Sequence, residues 1–176
     1  MVVASALAVT DCRTSCIFQN PTATAFGTGK FLDTVLMPPN FQIQFDVLVE
    51  EAPSTTSEVR GMLELADSNS GQNLFKVGIT NTRNILTSYN GVTNSYVDSL
   101  LNADYTNTYT TVLAGYNSGT VTSATSNDYS AVDISTTSAF INTTNHQYDL
   151  YIAGMYDVNA PTAVGFIKNI YISGTS

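Results

Sequence analysis

An alternation of apolar and polar residues in the first third of the chain constrains the fold most. From Phe41 to Val49, apolar side chains at the odd positions alternate with Gln42, Gln44 and Asp46. Successive side chains of a β-strand point to opposite faces, so the segment predicts a strand with one face in a core. The chain must therefore contain a β-sheet that is buried on at least one side.

Shorter segments of the same kind recur along the chain and are separated by turn residues. Asn90-Gly91 and Asn117-Ser118-Gly119 are hairpin signals, because Asn and Gly adopt the positive φ that tight turns need. Ile167 and Ile170 fall on opposite faces under strict alternation, which predicts a bulge near Lys168 or Asn169. We expect further strands at 60–66, 74–80, 83–89, 95–100, 109–116, 120–124, 148–152 and 165–173, and loops at 51–58 and over most of 125–145.

No segment of 11 residues keeps the 3.6-residue apolar period of a helix, so no long helix is expected. About ten strands joined by hairpins predict an all-β, two-sheet antiparallel sandwich. We expect residues 30–176 to form this sandwich. Residues 1–29 are expected to be an N-terminal strand or loop segment, with the cysteine pair, of the same domain.

The charge balance narrows the class of partner. Charged residues make up 11% of the chain, the net charge is −8, and the six basic residues are scattered singly. A nucleic-acid binder needs clustered Lys and Arg to displace counterions, and an anionic membrane surface attracts the same groups. No stretch approaches the roughly 20 apolar residues of a membrane span. Neutral glycans, cations or another protein, including a copy of this chain, remain as partners.

Three features bear on where the protein acts. Residues 1–9 are mostly apolar, and we favour a first strand over a piece of a signal peptide because the stretch is short and contains no basic n-region. Cys12 and Cys16 are too few for a structural zinc site, which would have to recruit His146. A local disulfide is favoured over free thiols or bridges between chains, and indicates an extracellular or particle-surface location. Asn142 begins an N-glycosylation sequon whose alternative is an unmodified loop.

Several segments, taken in order, resemble the concanavalin A-like lectin and laminin-G superfamily. Together they span about residues 30–174, and they begin and end with strands similar to those that open and close the family's core. The resemblance implies a jelly-roll sandwich that often binds sugars on its concave face or rim loops, sometimes with Ca²⁺. The segments are NFQIQFDVLV at 40–49, RGMLELADSNSGQNLFKVGIT at 60–80, NILTSYNG at 84–91, YTTVLAGYNSGTVTSATS at 109–126, QYDLYIAG at 147–154 and AVGFIKNIYISG at 163–174.

The family's catalytic and metal motifs are not found. Hydrolases of the superfamily carry an ExDxxE strand, whereas the nearest stretch here, Glu64 to Asp67, has the wrong spacing and no third acid. Glu64 is expected to face outward between Leu63 and Leu65 without a catalytic role. The single histidine, His146, has no nucleophile elbow to serve. We therefore expect a non-catalytic member of the family, not an enzyme.

Two sets of residues are candidates for binding. Tyrosine rings stack on sugars while amides bind their hydroxyl groups; the alternative is that the rings cover the sandwich edges. Asp67 and Asn69 place oxygen ligands on alternate residues, as Ca²⁺ loops do, and the alternative is a polar hairpin turn. No other cofactor is expected. The candidate sugar-binding residues are Tyr89, Asn90, Asn94, Tyr96, Asn102 and Tyr105.

Three functions follow from these patterns. The first is an extracellular, non-catalytic carbohydrate-binding or adhesion module for neutral glycans. The second is a structural subunit of a surface filament, sheath or capsid, which would associate with copies of itself. The third is a glycoside hydrolase or lyase with an unrecognised site, which requires two carboxyl groups within about 10 Å of each other.

Overall fold

The chain is described from a computed structural model, which covers residues 8–19, 24–25, 29–51, 59–70, 73–80, 84–89, 96–100, 109–125, 129–133, 146–152 and 164–175. No helix capable of crossing a membrane occurs within these ranges. The described strands are β1 (Thr10–Asp11), β2 (Ser15–Phe18), β3 (Thr24–Ala25), β4 (Lys30–Leu36), β5 (Phe41–Glu51), β6 (Val59–Asp67), β7 (Asn73–Thr80), β8 (Asn84–Tyr89), β9 (Tyr96–Leu100), β10 (Thr110–Asn117), β11 (Thr120–Thr125), β12 (Tyr129–Asp133), β13 (Gln147–Ile152) and β14 (Val164–Gly174).

The strands form two sheets. The first sheet has the order β1-β4-β13-β6-β7-β8-β9, and the second has the order β12-β11-β10-β5-β14-β2, with β3 also paired to β14. The pairing of β1 with β4 is parallel, and the other pairings between described strands are antiparallel. The all-β jelly-roll sandwich is confirmed. The long strands β5 and β14 are neighbours, as the resemblance implies for the opening and closing strands.

The core lies between the inner faces of the two sheets and follows the period of two in the sequence. On β5, Ile43 and Phe45 are fully buried, and on β13 Leu150 is fully buried. Burying an apolar side chain of this size stabilises the fold by about 1.5–3 kcal/mol. On both strands, the residues that alternate with these buried ones face outward. The period of two that predicts the strands therefore also determines which side chains lie on each outer face.

Two local predictions are confirmed. The register of β14 against β5 shifts between Lys168 and Tyr171, and Asn169 adopts a φ of 53°, which is the expected bulge. Ser118 and Gly119 both have positive φ in the turn between β10 and β11. The backbone N–H of Ser118 donates to Asn40 Oδ1 at 2.9 Å, which ties this turn to the start of β5.

The structure adds strands where the sequence predicts none. Strand β12 lies in the segment 125–145 that was expected to be mostly loop, and β4 has no regular alternation because a register shift interrupts it opposite Leu150 and Tyr151. In both cases, pairing with a neighbouring strand stabilises the extended backbone although the apolar–polar alternation of the segment is weak. The expected strand at 1–9 and the expected loop at 51–58 lie mostly outside the described residues, and Glu51, the first residue of that loop, instead ends β5.

The N-terminal segment contributes to both sheets. Cys12 and Cys16 form a disulfide, and the backbone N–H of Cys12 donates to the carbonyl oxygen of Leu36 at 2.9 Å. Strand β1 extends the edge of the first sheet, whereas β2 extends the edge of the second. The disulfide therefore lies where the chain passes from the edge of one sheet to the edge of the other. The expected division of the chain between residues 29 and 30 stays a prediction.

Candidate functional site

A row of four residues crosses the outer face of the first sheet. Tyr151 on β13 is opposite Phe31 on β4 and Glu64 on β6, and Glu64 is in turn opposite Lys76 on β7. Residues opposite each other on paired strands share a face. Their neighbours along the strands, such as Leu65, belong to the core, so the row faces outward. We call Phe31, Tyr151, Glu64 and Lys76 the outer row.

Glu64 is buried although it faces away from the core. Its residue surface is 3% exposed, and neither carboxyl oxygen forms a hydrogen bond. Lys76 Nζ lies 3.7 Å from Oε1, which is an ion-pair contact beyond hydrogen-bond range. Burial raises the pKa of Glu64, and the charge of Lys76 offsets part of that effect. The site therefore favours the protonated carboxyl more than water does.

A second carboxylate, Asp149, shares this face. It lies on β13 opposite Ala66 and is therefore a diagonal neighbour of Glu64. The Cα atoms of diagonal neighbours on paired strands are about 7–8 Å apart. Asp149 Oδ1 accepts hydrogen bonds from Thr34 Oγ1 at 2.9 Å and from Ser68 Oγ at 3.0 Å. The face thus combines a carboxyl group without hydrogen bonds and a carboxylate oriented by two hydroxyl groups.

An aromatic pair stands at one end of the outer row. The ring centroids of Phe31 and Tyr151 are 5.6 Å apart at an interplanar angle of 67°, an edge-to-face contact. Phe31 is 41% exposed, so part of its ring is open to a ligand. A sugar ring can stack on such a surface while its hydroxyl groups reach the neighbouring polar groups.

A different polar cluster closes the far end of β6. Asp67 Oδ1 accepts the backbone N–H groups of Asn69 and Ser70 at 2.7 and 2.9 Å, and Oδ2 lies 2.7 Å from His146 Nε2. Although burial opposes ionisation, these hydrogen bonds lower the pKa of Asp67. Burial and the charge of Asp67 raise the pKa of Tyr148, whose ring packs beside His146. Asp67 acts here as a turn-capping group.

That geometry corresponds to the polar-turn alternative for Asp67 and Asn69. Within the described ranges, no group of three or more His, Cys, Asp or Glu side chains is arranged to hold a metal ion. Binding of Ca²⁺ by Asp67 and Asn69 stays a prediction.

The candidate sugar-binding residues are only partly described. Tyr89 ends β8 and Tyr96 begins β9, at the edge of the first sheet. Tyr96 is in register with Ser88, which is in register with Lys76, so its backbone continues the line of the outer row. A sugar-binding role for these residues stays a prediction. Asn90, Asn94, Asn102, Tyr105 and the sequon residue Asn142 lie outside the described residues.

Sequence reasoning missed Phe31, Asp149 and Tyr151 as members of a site. The alternation of QYDLYI from 147 to 152 does place Asp149 and Tyr151 on the face opposite Tyr148, and this signal was available. The outward direction of Glu64 was predicted correctly. Its burial was not predicted, because a single strand carries no information about what lies over its outer face.

Comparison with known proteins supports the fold. No family model and no curated protein sequence matches the chain. Trypanosoma rangeli sialidase matches with a TM-score of 0.52 at 14% identity over 76% of this chain, which spans only 20% of the sialidase chain. Alginate lyase A1-II′, of polysaccharide lyase family 7, gives a TM-score of 0.49 at 12% identity, with 77% of this chain and 63% of the lyase covered. At 14% identity, the likeness to the sialidase shows the fold alone.

The comparison corrects one prediction. The expectation that this chain is not an enzyme is wrong, because an enzyme, the Trypanosoma rangeli sialidase, has a similar fold. That expectation rested on missing sequence motifs. A fold hosts chemistry through the groups placed on it, and such groups can come from strands far apart in sequence. Whether the chain has an active site therefore depends on the geometry of the carboxyl groups on its outer face, and not on sequence motifs.

Proposed function

We propose that the chain is a carbohydrate-active domain that binds a glycan on the outer face of the first sheet and hydrolyses a glycosidic bond with Glu64 and Asp149. The observation that carries the proposal is the presence of two unlike carboxyl groups on one face. Glu64 is buried without a hydrogen bond, whereas Asp149 is half-buried and held by two hydroxyl groups. Glycoside hydrolysis needs one carboxyl group that gives a proton and one that takes a proton.

The two groups would divide the reaction between them. Glu64, whose pKa is raised by burial, would give a proton to the glycosidic oxygen as the bond from the anomeric carbon to that oxygen breaks. Asp149 takes a proton from a water molecule, whose oxygen forms the new bond to the anomeric carbon. The Cα atoms of diagonal neighbours lie about 7–8 Å apart, and inverting hydrolases, which hold a water molecule between their two carboxyl groups, separate those groups by about 6.5–9.5 Å.

Other features support a sugar as the substrate. The exposed ring of Phe31 offers a stacking surface beside the two carboxyl groups. A structure of the sialidase of similar fold contains sialic acid. The scarcity of basic residues favours neutral glycans for this chain, and the disulfide favours action outside the cell. Assembly into a filament, sheath or capsid stays a separate prediction.

The test is a panel of neutral, uronate-containing and sialate-containing oligosaccharides, incubated with the purified chain and analysed by mass spectrometry. Glu64→Gln and Asp149→Asn should each lower the cleavage rate by about 10²–10⁴-fold, the usual contribution of a general acid or base. Both should keep glycan binding. Glu50→Gln is the matched control, since Glu50 is an exposed glutamate on β5.

The outcomes separate the parts of the proposal. Binding without products rejects hydrolysis and retains glycan recognition. Products that absorb ultraviolet light, as unsaturated sugars do, show elimination instead of hydrolysis. If the chain neither binds nor cleaves any oligosaccharide of the panel, the proposal is rejected. Phe31→Ala should weaken binding about tenfold, because a stacking contact of about 1–1.5 kcal/mol is lost.

A further inference from the structure

The β-bulge of β14 lies in the second sheet, away from the outer row. Between Lys168 and Tyr171, two residues of β14 stand opposite the single residue Phe45 of β5. Ile170 faces the core and is 2% exposed, whereas Asn169 is exposed and has a φ of 53°, which asparagine adopts more readily than most residues. The bulge therefore adds one side chain, the Asn169 amide, to the outer face of the second sheet.

On this face, the amide of Asn169 is held against a carboxylate. Asn169 Nδ2 donates to Asp46 Oδ2 at 2.9 Å, and Thr111 Oγ1 donates to Asp46 Oδ1 at 2.9 Å. Lys168 is in register with Asp46, and its ammonium lies 3.7 Å from the centroid of the Tyr109 ring. A carboxylate has about four acceptor positions, and a side-chain amide has two N–H donors and an acceptor oxygen. The pair of Asp46 and Asn169 therefore keeps both a donor and acceptors for a ligand.

An exposed aromatic side chain lies next to this pair. Tyr171 is 37% exposed and is in register with Gln44, whose exposed amide lies two residues before Asp46 on the same face of β5. Two residues along a strand span about 7 Å, and neighbouring strands are about 4.8 Å apart, so these positions border a patch that one sugar ring can cover. On the other side of Tyr171, Ile17 on β2 is 62% exposed and extends the apolar surface. We define the bulge site as Gln44, Asp46, Asn169 and Tyr171.

We propose that the bulge site binds a neutral sugar ring through two adjacent hydroxyl groups, as a second glycan-binding site without catalysis. One hydroxyl group donates to Asp46, the other accepts from the second N–H of Asn169, and the C–H face of the sugar lies on Tyr171. The ligand is neutral, because the Asp46 carboxylate repels anionic groups. The bulge site lies on the second sheet and the outer row on the first, so binding here is independent of Glu64.

The test is an NMR titration of the purified, isotope-labelled chain with methyl α-mannoside, methyl β-galactoside and methyl β-glucoside, whose adjacent hydroxyl pairs differ in orientation. At least one of these probes should shift the backbone amide signals of Gln44, Asp46 and Asn169. Tyr171→Ala should weaken the binding of that probe about tenfold, because the stacking contact is lost. Asn169→Gly should also weaken it about tenfold, because the amide is lost while glycine keeps the positive φ and with it the bulge.

The matched control is Glu50→Gln, which removes an exposed carboxylate from the same strand as Asp46 and should leave the affinity unchanged. Glu64→Gln should also bind the probe normally, which separates this site from the proposed hydrolase. No shift with any of the probes would overturn the proposal, as would an unchanged affinity in folded Tyr171→Ala and Asn169→Gly variants. Shifts confined to the first sheet would assign the sugar to the outer row and would overturn it too.

Discussion

Strand β6 carries two buried carboxyl groups, Glu64 and Asp67, which are 3% and 5% exposed. Asp67 lies at the end of the strand, and its oxygens contact Asn69, Ser70 and His146 at hydrogen-bond distance. Glu64 lies within the strand, and its oxygens have no hydrogen bond. Both side chains are closed to solvent, yet the pKa of Asp67 is lowered and the pKa of Glu64 is raised.

Two factors separate the carboxyl groups: Glu64 lies deeper among protein atoms and has no hydrogen bond, whereas Asp67 lies nearer the surface of the protein and has hydrogen-bond partners on both oxygens. A buried carboxylate with donors on both oxygens stabilises the native state, because its partners replace water. A buried carboxyl group without hydrogen bonds costs stability, and such groups concentrate at functional sites. Asp67, at the end of β6, therefore has a structural role, whereas Glu64, within the strand, has the proposed catalytic role, and four experiments can break or sharpen that separation.

The largest expected effect is on catalysis. Glu64→Gln should lower kcat/KM for the cleaved glycan by about 100-fold or more, because the amide cannot give a proton to the leaving oxygen. Asp67→Asn should leave kcat/KM nearly unchanged at a temperature where the variant is folded. Steady-state kinetics on both variants make the comparison. An equal loss of kcat/KM in both variants would show that Glu64 and Asp67 act as one site.

The second expected effect is on the free energy of unfolding, and here Asp67→Asn should have a larger effect than Glu64→Gln. Asp67→Asn should lower the free energy of unfolding by about 2 kcal/mol, because hydrogen bonds to a charged group are weakened or lost. Glu64→Gln should not lower it, since a neutral amide is easier to bury than a carboxylate. Urea unfolding with the m value held constant measures both changes. A destabilised Glu64→Gln variant would contradict the comparison.

A smaller loss is expected at His146. His146→Gln removes the ring that contacts Asp67 Oδ2 and packs beside Tyr148, but leaves the backbone donors of Asn69 and Ser70 in place. We expect a loss of about 1–1.5 kcal/mol in urea unfolding, less than for Asp67→Asn. If His146→Gln cost more than Asp67→Asn, the ring packing would outweigh the hydrogen bond.

The smallest effect is on the pH dependence of stability. Glu64 has a raised pKa in the folded state, so the native state holds its proton more tightly and stability falls as the pH rises above about 4.5, its ordinary pKa. Asp67 has a lowered pKa, so its contribution is present above its ordinary value of 3.8 and is lost as the pH falls through the lowered value.

Urea unfolding at a series of pH values tests both slopes. Glu64→Gln should flatten the decline of stability above pH 4.5, whereas Asp67→Asn should flatten the loss on the acid side of pH 3.8. Glu50→Gln, at an exposed position, should change neither slope. Parallel curves for the Glu64→Gln variant and the wild type would show that Glu64 is not buried in solution as it is in the structure.

By itself the sequence determined which side chains share a face of each long strand, because the period of two is a local property of extended backbone. It placed Ile43 and Leu150 inward and Glu64 outward, and it located the turn at Ser118-Gly119 and the bulge at Asn169. These features depend on φ and ψ preferences and on hydrophobic contrast over a few residues.

The tertiary structure alone decided which strands are neighbours. Strand β13 inserts between β4 and β6, and this pairing joins Asp149 to Ser68, 81 residues earlier, and to Thr34, 115 residues earlier. It also sets Asp149 diagonal to Glu64 and places Tyr151 between Phe31 and Glu64. Local patterns do not encode such contacts, because many strand orders bury the same apolar faces and differ only in how the whole chain packs.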